Sequence, residues 1–127
     1  YILADSDGEP DVILIGSGSE VALCARAQEK LAGYGVKARV VSMPSWNLFD
    51  AQPASYRDTV LPPGIKKRVT VEAGSPVGWH RWAGDEGIVI GIDRFGASAP
   101  GEIVMKNLGF TVENVVGAAL RLVGARV

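Results

Sequence analysis

The stretch that most constrains this chain is Asp11-Val12-Ile13-Leu14-Ile15-Gly16-Ser17-Gly18-Ser19-Glu20-Val21. Val12 to Ile15 is a continuous apolar run with β-branched residues. That is the pattern of a strand covered on both faces, although so short a run does not by itself exclude helix. Gly16 and Gly18 break the run. Ser17 and Glu20 stand at capping-box spacing, where a hydroxyl accepts from the N–H three residues on and a carboxylate reaches back. From Val21 the apolar period changes to Val21, Cys24, Ala25, Leu31 and Ala32, one helical face interrupted by the amide of Gln28. Strand, glycine turn and helix together make the opening half of a right-handed βαβ unit.

The alternation continues along the chain. Tyr1 to Ala4 is a short apolar run, read as an edge strand. Gly33 and Gly35 are natural breakers for the first helix. Val36 to Met43 is the next strand, stopped by Pro44. Ser45 to Asp50 reads as a loop whose large apolar residues Trp46, Leu48 and Phe49 pack down. Pro53 to Val60 reads as a short helix with Pro in its first turn, ended by Leu61-Pro62-Pro63-Gly64. Arg68 to Ala73 alternates polar with apolar residues, a strand with one less buried face. Ser75-Pro76 has the chemistry of a helix start leading into Val77–Trp82, and Ile88 to Ile92 is a further strand. Pro100 to Leu108 reads as a short helix closed by Gly109. Thr111 is the cap of the last helix, with Val112, Val115, Val116, Ala119, Leu122 and Val123 on one face. The expected fold is α/β, a three-layer α/β/α sandwich on a mostly parallel sheet of about five strands.

Composition narrows the function. The chain has 127 residues, 47% of them hydrophobic, and a net charge of -1. That size suits a single domain spanning 1–127. The balance excludes disorder and gives no general attraction for nucleic acid or an anionic membrane. No apolar run reaches the ~18 residues of a membrane span. Tyr1-Ile2-Leu3-Ala4-Asp5 lacks the basic region and long apolar core of a signal peptide. It also lacks an initiator Met, so the chain reads as a fragment of a longer protein, though processing would look the same. Cys24 is the single cysteine. It allows no disulfide and no thiolate metal cluster, which suits a reducing compartment.

Few residues point to chemistry. Asp5-Ser6-Asp7-Gly8-Glu9 is acidic, but an EF-hand loop needs Gly at its sixth position and Gly8 is fourth from Asp5, so a solvated turn is favoured. The Gly16-Ser17-Gly18-Ser19 turn lies where a strand ends and a helix begins, a place where free N–H groups and the dipole favour an anion. The dinucleotide fingerprint fails at Val21 and no lysine completes a Walker loop, so a structural βα turn is the favoured reading. His80, the only histidine, sits in Trp79-His80-Arg81-Trp82. The nucleophile elbow that a Ser–His–acid triad needs is absent, which leaves His80 as a surface or interface residue. Trp79 and Trp82 are either core or a contact to another domain. Asp93 to Pro100 also follows a strand and precedes an expected helix, so by the crevice rule it shares an edge with the glycine turn. Gly16, Ser17, Gly18, Ser19, Arg94, Gly96 and Ser98 are therefore a candidate anion or interdomain site, and not a catalytic one.

Several segments taken in order resemble the C-terminal domain of transketolase. They are Gly16-Ser17-Gly18-Ser19-Glu20-Val21, Val40-Val41-Ser42-Met43-Pro44-Ser45-Trp46, Leu48-Phe49-Asp50, Tyr56-Arg57 and Val60-Leu61-Pro62. Val71-Glu72-Ala73-Gly74-Ser75, Gly78-Trp79, Gly91-Ile92-Asp93-Arg94-Phe95-Gly96-Ala97-Ser98-Ala99-Pro100 and Gly109-Phe110-Thr111-Val112-Glu113-Asn114-Val115-Val116 complete the match. The resemblance implies a mixed sheet of five strands, the first antiparallel, between helices. It also implies a parent enzyme that moves a two-carbon ketol unit between sugar phosphates. That parent uses thiamine diphosphate and Mg2+ or Ca2+, as a cytoplasmic or plastid homodimer. In that family the preceding domains hold cofactor and substrate. The cofactor motif GDG…N is absent here, since Gly84-Asp85-Glu86-Gly87 fails at its third position. No catalytic, cofactor-binding or metal-ligating residue is therefore carried over, and the domain alone is expected to be structural or regulatory. The alternative is a partner-binding C-terminal module of a 2-oxoacid dehydrogenase β subunit or a deoxyxylulose-phosphate synthase.

Overall fold

The computed structural model describes residues 1–18, 20–43, 46–72, 80–84, 86–91, 102–105 and 111–124. Along them run β1 (Ile2–Ala4), β2 (Val12–Gly16), α1 (Glu20–Gly33), β3 (Ala38–Ser42), α2 (Trp46–Asp50), α3 (Ala54–Val60), β4 (Arg68–Glu72), α4 (His80–Ala83), β5 (Ile88–Gly91), β6 (Glu102–Met105) and α5 (Val112–Val123). A run without a polar residue needs cover on both sides, and β2 is buried at every position. It lies inside a six-stranded sheet of order β1-β3-β2-β4-β5-β6. β1 pairs antiparallel with β3, while the β2–β3, β2–β4, β4–β5 and β5–β6 ladders are parallel.

The period of two along each strand sorts the core into two layers. Val12, Leu14, Val40, Val69, Val71, Ile88 and Ile90 meet Cys24, Ala27 and Leu31 of α1 and Val115, Val116 and Ala119 of α5. Ile13, Ile15, Val41 and Val89 face the other way, onto Phe49, Val60, Leu61 and Trp82. Helices thus cover both faces of a mixed, mostly parallel sheet with an antiparallel first strand, which is the three-layer α/β/α sandwich expected.

Local chemistry sets the ends of the long helices. At the close of α1, Gly35 has φ +76. The N–H of Val36 donates to the Leu31 carbonyl at 3.0 Å and that of Gly35 to the Ala32 carbonyl at 3.0 Å, a Schellman motif. Val36 and Leu31 are buried in the same core, which supplies the apolar contact that accompanies it. Thr111 caps α5 as expected, its hydroxyl accepting from the Asn114 N–H at 3.2 Å.

Four expectations need correction. Residues 46–50, read as a loop, form the helical turn α2, and within it Phe49 packs down while Leu48 is 66% exposed. Pro100–Leu108, read as a helix, contains β6, which raises the sheet to six strands. The β-branched pair Ile103-Val104 suits a strand, and β5 offers the edge on which it pairs. The inner face of α1 is Glu20, Cys24, Ala27 and Leu31, whereas Ala32 is exposed. Finally, β4 has no less-buried face at its centre, since Val69, Thr70 and Val71 are each 0% exposed. The helix expected from Ser75-Pro76 starts outside the described residues. α4 is the part that lies within them.

Candidate functional site

The sheet register builds the candidate edge. Gly16 pairs with Ser42 on one side and Val71 on the other, and Val71 in turn pairs with Ile90. β2, β4 and β5 therefore end on one edge, as the crevice rule requires. The turn after β2 is closed by the Glu20 N–H donating to the Ser17 carbonyl at 3.2 Å and the Val21 N–H to the Gly18 carbonyl at 3.3 Å. Gly16 is required by proximity. A Cβ there would lie 3.2 Å from the Cys24 sulfur and 3.3 Å from the backbone of Glu20 and Val21. Gly18 is required by its left-handed backbone, φ +56.

Electrostatics at this turn run against a free anion. Glu20 stands in the first turn of α1 and is only 9% exposed. Its Oε2 comes within 3.9 Å of the place a side chain on Gly18 would occupy. The carboxylate complements the helix dipole and repels a second negative group from the same N–H donors. Beneath it, burial and then the Glu20 charge push the Cys24 thiol up to about 12. Such a thiol stays protonated and unreactive near neutral pH.

Of the candidate residues, the structure brings Gly16, Ser17 and Gly18 together, and Ser19, Arg94, Gly96 and Ser98 lie outside the described residues. The second helix start expected on this edge, after the Asp93–Pro100 loop, is corrected: the described element that follows β5 is the strand β6. His80 opens α4. Trp82 is core, meeting Phe49 edge-on at 5.4 Å and 86°. Trp79 lies outside the described residues.

Two grooves escaped the sequence reading. The first, about 500 Å³, runs past Arg57, Lys66, Arg68, Trp82 and Glu86. Arg68 is spent on structure there. Its guanidinium donates to the carbonyls of Ile65 (2.9 Å), Trp82 (3.0 Å), Pro62 (2.9 Å) and Leu61 (3.4 Å), tying β4 to α4. The second groove, about 310 Å³, is apolar and is lined by Tyr1, Ser42, Met43, Leu48, Phe49, Gln52 and Tyr56. Leu48 and Phe49, in the apolar cluster of 46–49, were its signal in the sequence.

A mixed-sheet α/β/α domain with a glycine turn at its carboxyl edge is a common class, and the comparisons narrow it. The family model described as "Transketolase-like TK C-terminal domain" matches residues 1–111. The chain is 54% identical over 124 residues to a transketolase from Nostoc sp., covering 98% of this chain and 18% of that protein. It is 53% identical over 125 residues to a transketolase from Geobacillus stearothermophilus, covering 98% and 19%. The solved transketolase from Leishmania mexicana superposes with a TM-score of 0.80 at 40% identity, over 98% of this chain and 18% of that one. The chain belongs to the transketolase C-terminal-domain family. These matches favour that family over the partner-binding alternative, and the chain spans about a fifth of the length of the relatives named.

Proposed function

We propose that residues 1–127 are a single C-terminal domain of a transketolase, which transfers a two-carbon ketol unit from a ketose phosphate to an aldose phosphate. The whole protein would act as a cytoplasmic or plastid homodimer with thiamine diphosphate and Mg2+ or Ca2+ held by the preceding domains. The observation that carries this reading is the 54% identity to a transketolase along 98% of the chain. No helix among the described residues is long and apolar enough to cross a membrane.

The described residues offer no ligand set that favours the cofactor or its metal. Among the described residues no group of three or more His, Cys, Asp or Glu side chains is placed to hold a metal ion. The helix start that would face a diphosphate already carries the Glu20 carboxylate. We therefore read the domain alone as structural, and derive no step of the reaction through it. A two-carbon transfer assay of the longer protein beside the 127-residue chain tests this. Turnover is expected only from the longer protein. Turnover by the short chain contradicts the silent role, and none by the longer protein contradicts the activity.

We read the edge of Gly16, Ser17, Gly18 and Ser19, with Arg94, Gly96 and Ser98, as an interdomain contact. The Glu20 carboxylate supports that reading over a phosphate site. A phosphate titration followed by amide NMR is expected to leave these residues unmoved at millimolar concentration. Saturable shifts confined to 16–19 and 96–98 would make the edge an anion site instead.

A further inference from the structure

Leu48, Tyr1 and Tyr56 are large and apolar, yet 66%, 53% and 38% exposed. They gather with Met43 and Phe49 around the groove of about 310 Å³ at the carboxyl end of β3. An apolar groove that collects exposed side chains in one place marks a surface something covers.

The register of β1 points to the occupant. Because β1 runs antiparallel to β3, it enters at β3's carboxyl end. The Tyr1 amino group donates to the Ser42 carbonyl at 2.7 Å, and the Ser42 N–H donates to the Tyr1 carbonyl at 2.8 Å. Continued by one residue, the same antiparallel pairing would set a residue joined to Tyr1 opposite Met43, which lines the groove. The transketolases matched here are far longer than this chain, which covers 18% of the Nostoc protein.

We propose that this groove is the seat of the polypeptide that immediately precedes Tyr1 in a longer protein, an apolar segment laid across Met43, Leu48 and Tyr56. The inference rests on the reading of the chain as part of a transketolase, and it is tested by surface accessibility, independently of turnover.

Leu48→Cys and Tyr34→Cys are introduced singly into the longer protein and into the 127-residue chain, and alkylation of each is timed by peptide mass spectrometry. Tyr34, 54% exposed in the turn that closes α1, lies toward the opposite edge of the sheet and serves as control. Cys24 is buried and contributes no background. Leu48→Cys is expected to react about tenfold more slowly in the longer protein than in the short chain, with Tyr34→Cys unchanged. Equal rates for Leu48→Cys overturn the proposal. The occupant is identified by restoring only the segment before Tyr1, about ten residues, which spans about 30 Å when extended. Slow labelling should return with that segment alone. If it returns only with the whole protein, or if labelling of the short chain slows as its concentration rises, another domain or a second copy fills the groove and the proposal fails.

Discussion

Cys24 and Thr70 carry polar groups into places where neither can titrate or bond freely. Burial and the neighbouring Glu20 charge raise the Cys24 thiol to about 12, against an ordinary 9.0. A raised acid favours folding while it stays protonated in both states. The contribution is complete below pH 9 and is lost as pH rises from 9 toward 12, where only the unfolded thiol ionises. Urea unfolding across that window should show Cys24→Ala losing less stability than the parent, by up to about 1.4 kcal/mol per pH unit. Parallel curves would mean that the thiol ionises in place. Thr70 is 0% exposed and its Oγ1 has no hydrogen-bond partner among the described residues. Thr70→Val should therefore stabilise by about 1 kcal/mol, because it removes an unmet desolvation cost; a loss of similar size would reveal a hidden partner. At this scale the sequence was readable where a residue's role is local. Gly16 and Gly18 marked the turn because one is needed for close packing and the other for its φ of +56. The Glu20 carboxylate's burial, which turns that edge away from anions, depends on the packing of α1 on β2 and left no trace in spacing.

Elements divide in the same way. β2 and α5 were legible because each pattern is long and one-sided, and Thr111 caps α5 where its spacing put it. α2 was missed because its five residues are too few to display a 3.6-residue period. Residues 102–105 were missed because the strand preference of Ile103-Val104 is too short a signal by itself, and pairing on the edge of β5 decided it. The turn between α4 and β5 is another feature set by packing. A Cβ on Gly87 would sit against the Ala83 carbonyl and 2.7 Å from the Arg68 carbonyl, both backbone atoms, whereas one on Gly64 meets nothing within 4 Å. Gly87→Ala should cost about 3 kcal/mol or more, while Gly64→Ala stays within about 0.5 kcal/mol. Urea midpoints at constant slope decide it; similar losses at both sites would mean the α4–β5 turn yields easily.

At the scale of the whole molecule, the sheet separates two kinds of surface. α1 and α5 seal one face with an amphipathic pair, and α2, α3 and α4 cover the other less completely, leaving the apolar groove beside Tyr1 and Leu48. On the proposed function, this domain supports the enzyme without holding its cofactor. The most direct measurement is an isothermal titration of thiamine diphosphate, with excess Mg2+, into the 127-residue chain. Heats of dilution only are expected. Saturable heat with a stoichiometry near one cofactor per chain would contradict it.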